Sequence, residues 1–382
     1  MHKYLYFVGA IEKTKMPKQI QRIIVLLLLA GIFSTTKSFA QKKNSVKFKL
    51  SGYMDVYFAG YTDSVEKNSY QKFPVISPKN NALGLNIAQL TAQLNSNRFR
   101  STVTLHYGDI PLSAWSPSLN LIQEANVGVK LGKKFWLDAG FFKTHIGTEA
   151  FVPKDNIASS LSIITFYEPW FQTGVKLSYT PNDKFFFCMH ALLGYNIFVE
   201  NNKKKSFGIS ASYTFNEKGS IGYYNLFGDE TPDSIHTAHF RFLNNVVFNY
   251  QVTPKLKVQI GGDIIAQGRS GIIDSNKTAI ALGGIATLKY QFVPKLGIYV
   301  RGEIFDDKNG FLTGVINDAK NKLTGYKLWG ITGGLEYKPE ENSFIRLEGR
   351  QLQMDKNQPI FRWKGKDQSN RIELMLHAGY YF

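Results

Sequence analysis

The sequence predicts an all-β fold, a transmembrane antiparallel β-barrel of about 16 strands with short periplasmic turns and long extracellular loops. Three features indicate this fold: apolar and polar residues alternate, the connections come in two alternating sizes, and aromatic residues stand beside the shorter connections. Composition agrees, because 14% of the 382 residues are aromatic and aromatic side chains favour strands.

The first 40 residues are predicted to be a secretory signal peptide. Lys18 and Arg22 precede an apolar run at 23–30, and the small-x-small sequence SFA at 38–40 provides a cleavage site. The apolar run is well short of the ~20 residues that a membrane-spanning helix needs. We therefore expect export of the chain, with translation starting at Met16.

The remaining residues, 41–382, are expected to form a single outer-membrane β-barrel domain. Cleavage removes six basic residues and one acidic residue, so the formal charge falls from +17 to +12. An exported chain does not normally meet nucleic acid, so we expect no nucleic-acid partner despite the basic balance. The single cysteine, Cys188, excludes a disulfide scaffold and a cysteine-based zinc site, and we expect no metal and no cofactor.

The alternation of apolar and polar residues is clearest in the last segment of the chain. Strands of a membrane barrel place successive side chains alternately toward lipid and toward the lumen. One face of this segment carries Ile372, Leu374, Leu376, Ala378, Tyr380 and Phe382, and the other carries Arg371, Glu373, Met375, His377 and Gly379.

The connections between the alternating segments set the strand count. Seven are short and rich in turn formers: 95–98, 132–134, 181–184, 216–219, 253–255, 293–295 and 338–342. Eight are longer and more polar: 61–82, 108–122, 147–168, 199–205, 228–238, 267–278, 306–325 and 354–368. Seven turns and eight loops, with both termini on the short-turn side, require 16 strands.

Aromatic residues precede the short turns and close the chain. Amphipathic rings prefer the membrane–water boundary, so these residues predict a periplasmic aromatic girdle. A terminal Phe also resembles the signal by which the barrel-assembly machinery recognises outer-membrane barrels. The predicted girdle consists of Tyr179, Phe215, Tyr250, Tyr290, Tyr337 and Phe382.

Part of the sequence resembles a known family. The segments at 126–132, 136–149, 160–162 and 167–170 are similar to the OmpL-like β-barrel porins that are common in Bacteroidetes. The likeness covers most of the chain after the signal peptide and is sharpest over 123–180. It implies a porin-like barrel in the outer membrane, and it supplies no substrate and no functional residues.

Charged residues of both signs are predicted to face the lumen on the last four strands. In a pore they would create a transverse field that favours small polar or charged solutes. The alternative, which we favour, is a ladder of ion pairs that stiffens the wall. The candidate pore-lining residues are Arg301, Glu303, Glu336, Arg346, Glu348, Arg350, Arg371 and Glu373.

The connection at 147–168 is the candidate for a loop that folds inward and narrows the pore. Its stretch at 157–166 is too apolar to remain in water, and the barrel interior offers a place to bury it. Packing over the barrel mouth, or a short helix outside it, is an equally weighted alternative. The candidate constriction residues are Pro153, Lys154, Asp155 and Asn156.

Catalytic signals are weak, and we expect the chain not to be an enzyme. A lipid hydrolase of the outer membrane needs a Ser and a His at the lipid face, with a polar residue that orients the His. His106, His190 and His377 instead face inward on separate strands, without a partner that the sequence establishes. The loop pair His236 and His239 is a low-specificity metal signal.

The sequence therefore predicts a porin-like channel in the outer membrane of a Gram-negative cell, for passive diffusion of small hydrophilic solutes. The remaining positive charge suggests a mild preference for anions. One alternative is a loop-closed structural or surface-binding barrel that contacts lipopolysaccharide through basic segments such as 203–205. A second alternative is an outer-membrane lipid hydrolase.

Overall fold

The computed structural model describes residues 46–63, 67–117, 119–200 and 202–382. The predicted signal peptide and its cleavage site lie outside these residues. Within the described part of the chain, no helix is long and apolar enough to cross a membrane.

Sixteen antiparallel strands form a closed barrel, which confirms the predicted fold class. Each strand pairs with its sequence neighbour in the barrel, and the last strand pairs back with the first over Tyr53–Tyr61. The first seven barrel strands are β1 (Lys47–Tyr61), β2 (Ala82–Asn95), β3 (Phe99–Tyr107), β4 (Ile122–Lys130), β5 (Phe135–Lys143), β6 (Phe171–Tyr179) and β7 (Phe185–Leu192). The other nine are β8 (Ser206–Asn216), β9 (Gly219–Asp229), β10 (Phe240–Thr253), β11 (Leu256–Gln267), β12 (Ala279–Val293), β13 (Leu296–Asp306), β16 (Lys327–Tyr337), β17 (Ser343–Met354) and β20 (Asn370–Tyr381).

Four short strands and two short helices lie in the long loops and were not predicted. β14 (Ile316–Asn317) pairs with β15 (Leu323–Thr324), and β18 (Phe361–Trp363) pairs with β19 (Lys366–Gln368). The helices are α1 (Asp109–Ala114) and α2 (Ile163–Phe166), and a 3₁₀ turn spans Pro153–Asp155. Segments this short carry too little periodicity to be recognised from sequence.

The strand boundaries reproduce the seven short turns and eight long loops of the sequence analysis. Closure explains why this chain can cross lipid. Because the barrel has no edge, every barrel strand has hydrogen-bond partners on both sides. The main differences are that the third long loop extends to 144–170 and that the fourth begins at residue 193.

The two faces of the strands differ as the alternation requires. On β20, Leu374 is 61% exposed on the outer face while its neighbour Glu373 is 0% exposed on the inner face. The outer face of the barrel is thus an apolar surface suited to lipid.

Aromatic rings gather on the outer face beside the short turns. Phe135 stacks on Tyr179 at 4.4 Å between ring centroids, and Phe215 lies 5.9 Å from Tyr250. Tyr337 is 46% exposed and Phe382 63% exposed. Tyr290 contacts Phe292 at 5.2 Å. Their role as a membrane-boundary girdle stays a prediction.

An arginine on the outer face should destabilise the barrel far more than one on the inner face. We expect Leu376→Arg, at the middle of β20, to lower the free energy of unfolding by about 2–4 kcal/mol, because the guanidinium must enter the hydrocarbon layer. The matched control is Thr102→Arg, whose side chain faces the lumen. Urea unfolding in phospholipid vesicles measures both, and equal losses would contradict the assignment of faces.

Candidate functional site

The long loop between β5 and β6, residues 144–170 and called loop 3 here, folds into the barrel. Its 3₁₀ turn reaches the inner wall at β17, where the Arg346 guanidinium donates to Pro153 O at 2.9 Å and to Asn156 O at 3.0 Å. Lys154 lies 5.8 Å from the Tyr53 ring on β1 and pairs with Asp155 at 2.7 Å. The four candidate constriction residues therefore lie across the lumen from the strands that carry the loop.

Two charged wall residues hold the middle of loop 3. Glu348 accepts hydrogen bonds from the backbone N–H of Ser159 at 2.7 Å and of Ser160 at 2.9 Å. Arg301 donates to Ser160 O at 2.6 Å and pairs with Glu149 at 2.6 Å. Charge-assisted hydrogen bonds of this kind are the stronger ones in proteins, so this contact fixes the loop against the wall.

The eight candidate pore-lining residues all face inward, and each is at most 4% exposed. Five of them form a chain of ion pairs beneath loop 3, Arg346 and Glu336 form a separate pair, and Glu348 instead binds the loop backbone. The alternative, a wall-stiffening ladder, matches this arrangement, and a direct part in solute passage stays a prediction. The pairs are Arg301–Glu303 at 3.6 Å, Arg350–Glu303 at 2.7 Å, Arg350–Glu373 at 3.3 Å, Arg371–Glu373 at 3.0 Å and Arg346–Glu336 at 2.8 Å.

The end of loop 3 is anchored by a carboxyl group that was not predicted. Glu168 is 2% exposed and lies beside Asp263 of β11. Burial, and then the neighbouring Asp263 carboxylate, raise the pKa of Glu168 well above its usual range. A neutral Glu168 carboxyl can donate to Asp263, so the pair joins the loop to the wall.

Loops 1 (residues 62–81) and 2 (residues 108–121) also fold inward. Asp109, the first residue of α1, accepts hydrogen bonds from Tyr57 of β1 at 2.7 Å and from Tyr70 of loop 1 at 2.6 Å. Lys79 approaches the same carboxylate at 3.3 Å. One buried acid thus joins both loops to β1.

An apolar cluster unites the three loops inside the barrel. Trp115 of loop 2 contacts Phe151 of loop 3 at 5.0 Å and the inward His106 at 4.7 Å between ring centroids. Burial of these rings removes apolar loop surface from water and stabilises the inward position of the loops. The loops also contribute Ile76, Ile110, Val152, Leu161 and Trp170, and Phe198 of the fourth long loop joins the same cluster.

A Ser–His–Asp arrangement links loop 1 to β1 and β20. Ser77 Oγ lies 3.2 Å from His377 Nε2, and His377 Nδ1 lies 3.2 Å from Asp55 Oδ1. Each of the three residues is 0% exposed. Asp55 is further engaged by Asn86 at 2.9 Å and Tyr53 at 3.0 Å. The sequence did not establish these partners, because Ser77 and His377 are 300 residues apart.

The described lumen holds a cavity of about 660 Å³ along the opposite wall, between β2 and β9. It extends from Lys133 and Lys134, in the short turn before β5, to Lys143 and His145 at the far end of the same strand. Loop 3 and the ion-pair ladder occupy the other side of the barrel. The cavity therefore follows the length of the β4–β5 hairpin, and this wall carries the candidate path for solutes.

Charges along the cavity are mostly basic: five basic and two acidic side chains line it. Arg100 is neutralised by Asp138, whose two oxygens it contacts at 2.7 and 2.5 Å. Lys143 approaches Glu124 at 3.6 Å. Lys176, opposite Asp138 in register, instead places its ammonium 4.2 Å from the centre of the Phe142 ring.

Two histidines stack at the wall of the cavity. The rings of His145 and His190 are 3.8 Å apart, and the two ring nitrogens of His145 lie 2.8 Å from the Gln172 side-chain amide and 2.8 Å from Asn225 O. Burial lowers the pKa of His145, so the loop histidine is neutral at ordinary pH and adds no charge to the cavity. In the described residues, no group of three His, Cys, Asp or Glu side chains could hold a metal ion. His239, one of the two loop histidines considered as a metal signal, instead contacts Ser270 at 3.2 Å.

Comparison with protein families gives one match over nearly all of the described chain. A family model described as "Putative beta-barrel porin-2, OmpL-like" matches residues 47–382. No curated protein matches the sequence.

Solved structures with a similar fold include outer-membrane proteins, two of which are described as a porin and a channel. The anion-selective porin from Comamonas acidovorans has a TM-score of 0.58 at 9% identity and covers 88% of this chain and 100% of its own. The outer membrane channel DcaP of Acinetobacter baumannii has a TM-score of 0.59 at 12% identity, with 91% of this chain and 100% of its own covered. Salmonella typhi OmpF, in complex with daunomycin, has a TM-score of 0.56 at 12% identity, with 90% and 100% covered. At identities this low, the structural similarity shows a shared fold alone.

Proposed function

The chain belongs to the family of OmpL-like β-barrel porins and is an outer-membrane channel for small solutes, and from this premise we propose that small hydrophilic anions pass along the cavity between β2 and β9. The observation that carries the proposal is the basic lining of this cavity. Loop 3 fills the opposite side of the lumen and leaves this wall as the route.

The preference for anions follows from the basic side chains on this wall that form no ion pair with an acidic residue in the described chain. Arg100 and Lys143 have acidic partners. No ion pair in the described part of the chain involves Lys133, Lys134 or Lys176, which lie along the cavity from the turn to its middle. Basic side chains that line a pore favour anions, and a low-dielectric wall reduces the screening of their field.

Reversal potentials should report this preference. In planar bilayers with a KCl gradient, the sign is expected to indicate anion selectivity, and the triple variant Lys133→Gln, Lys134→Gln, Lys176→Gln should shift the potential toward zero or past it. The control variant Lys218→Gln, Lys255→Gln, Lys295→Gln removes the same charge from short turns outside the cavity and should leave most of the preference. Cation selectivity of the unmodified chain would refute the proposal.

We also propose that the Ser77–His377–Asp55 arrangement is structural and that the chain is not an enzyme. All three side chains are fully buried, and Ser77 Oγ is also engaged by Asn86 at 3.1 Å, so an attacking hydroxyl has no route to a lipid. A nucleophile must reach the reacting carbonyl carbon as well as its base.

A probe of serine hydrolases tests the structural role. The purified barrel is expected to remain unlabelled by a fluorophosphonate and to release no fatty acid from a fluorogenic phospholipid. Hydrolysis by the unmodified chain that disappears in Ser77→Ala, with folding intact, would overturn this assignment and restore the lipid hydrolase alternative.

Export by a signal peptide at 1–40, insertion by the barrel-assembly machinery and contact with lipopolysaccharide complete the proposed function. The terminal Phe382 on the outer face supports the second of these, and the basic segment 203–205 supports the third. In that segment Lys204 pairs with Asp229 and Lys205 with Glu200, so part of its charge is already compensated. The loop-closed barrel remains the alternative, because three loops pack inside the lumen.

A further inference from the structure

The cavity between β2 and β9 is lined by polar uncharged side chains as well as by basic ones. Its polar uncharged side chains include amides that can donate to and accept from hydroxyl groups: Gln93, Asn95, Asn126 and Gln172. Gln172 is 1% exposed, and its side-chain amide is already engaged by His145 at 2.8 Å. Gln93, Asn95 and Asn126 are less buried, and their amides can meet the hydroxyl groups of a solute in the cavity.

Aromatic rings in the same cavity are in contact with its open space. Phe186 lines the cavity and is 37% exposed, although it is on the inner face of β7. Trp136 lines it as well, and the Arg100 guanidinium lies 4.4 Å from the centre of its indole ring. Aromatic rings in an aqueous lumen offer apolar faces to a solute that is itself partly apolar.

Cations stand close to these rings and amides. Lys176 is in register with His190 of β7 and so lies at the middle of the cavity wall, while Lys133 and Lys134 lie at its short-turn end. Each can form a charge-assisted hydrogen bond with an anionic oxygen. The volume of about 660 Å³ lies within the range of ligand pockets and exceeds that of a simple inorganic anion.

We propose that this cavity is a binding site for hydroxylated ring anions, that is, sugar phosphates and sugar acids. The cations bind the phosphate or carboxylate, the amides bind the hydroxyl groups, and the Trp136 and Phe186 rings contact the C–H face of the sugar. The inference rests on the proposed anion route and names the class of solute for it.

Binding to the folded barrel in detergent tests this inference without requiring conductance. Isothermal titration calorimetry with glucose 6-phosphate is expected to show saturable binding that is about tenfold tighter than that of glucose or of inorganic phosphate, since each lacks one set of contacts. Glucuronate, a sugar acid, shows whether a carboxylate can take the place of the phosphate. Binding of either glucose 6-phosphate or glucuronate supports the proposed class of ligand. Affinity for inorganic phosphate equal to that for glucose 6-phosphate would overturn the proposal, and so would an equal affinity for glucose.

Variants separate the contributions of charge and ring. Lys176→Gln and Trp136→Leu should each weaken binding of glucose 6-phosphate several-fold, while Lys255→Gln and the lipid-facing Trp329→Leu should leave it unchanged. Heat-modified migration on gels checks that each variant is folded. Unaltered affinity in both cavity variants would place the ligand elsewhere and overturn the proposal. Absence of conductance together with specific binding would instead refute the channel route alone.

Discussion

Removal of the inward part of loop 3 is expected to raise single-channel conductance severalfold. The deletion replaces 150–166 by a short Gly-Ser linker and retains Glu149 and Glu168, which pair with Arg301 and Asp263. The deleted part contacts the inner faces of β13 and β17 and meets β1 through Lys154, so its loss widens the lumen across most of its diameter.

The control is a deletion of similar kind in a loop that lies away from the lumen. Removal of 318–322, the exposed tip of the β14–β15 hairpin, should leave conductance nearly unchanged. Planar-bilayer recordings measure both variants in the same salt. Unchanged conductance after the loop 3 deletion would mean that solutes already pass entirely beside the loop.

The same recordings decide between the open and the loop-closed barrel. If the unmodified protein shows no conductance steps and the loop 3 deletion does, the three inward loops seal the lumen and the structural alternative is correct. Discrete steps in the unmodified protein support the route along β2–β9. The cavity has a volume of only about 660 Å³, so large open steps are not expected without the deletion.

Much of the barrel was predictable because its signals are local. Alternation along β20 assigns Arg371 and Glu373 to the lumen from nothing more than their neighbours in sequence. Turn formers such as those at 294–295 mark hairpins in the same local way. Regular spacing of turns and loops then yields the strand count.

The placement of the loops was less predictable because it depends on distant partners. The apolar stretch at 157–166 indicated burial, but the sequence left inward and outward packing equally open. Its anchors, such as the pair of Glu149 with Arg301, join residues 152 positions apart. Nothing in the local pattern of either segment identifies the other.

The cavity wall was missed for a different reason. Arg100 and Lys176 are on the polar faces of their alternating strands, so their inward direction could be inferred from sequence. The sequence predicts lumen charges on the last four strands, where charges are denser. In the structure those denser charges neutralise one another beneath loop 3, while the sparser ones face open space.

The ion-pair ladder makes a strong prediction about stability. Arg350 is 2% exposed and holds Glu303 through two hydrogen bonds of 2.9 Å, with Glu373 at 3.3 Å. Arg350→Met removes the cation that Glu303 and Glu373 share and leaves each buried carboxylate with one arginine, Arg301 at 3.6 Å and Arg371 at 3.0 Å. We expect the free energy of unfolding to fall by about 3–5 kcal/mol, because removal of one partner uncovers the desolvation penalty of the other.

Two further variants show whether the loss comes from the unpaired charge. Lys338→Met removes a cation 3.9 Å from Glu336 at the rim, where it is 35% exposed, and should cost less than about 1 kcal/mol. Adding Glu303→Gln to Arg350→Met removes one of the two carboxylates that lost this cation and should restore part of the lost stability. Urea unfolding in vesicles, followed by tryptophan fluorescence, measures all three. A loss for Arg350→Met as small as that for Lys338→Met would mean that water reaches the ladder and that loop 3 does not seal this side of the lumen.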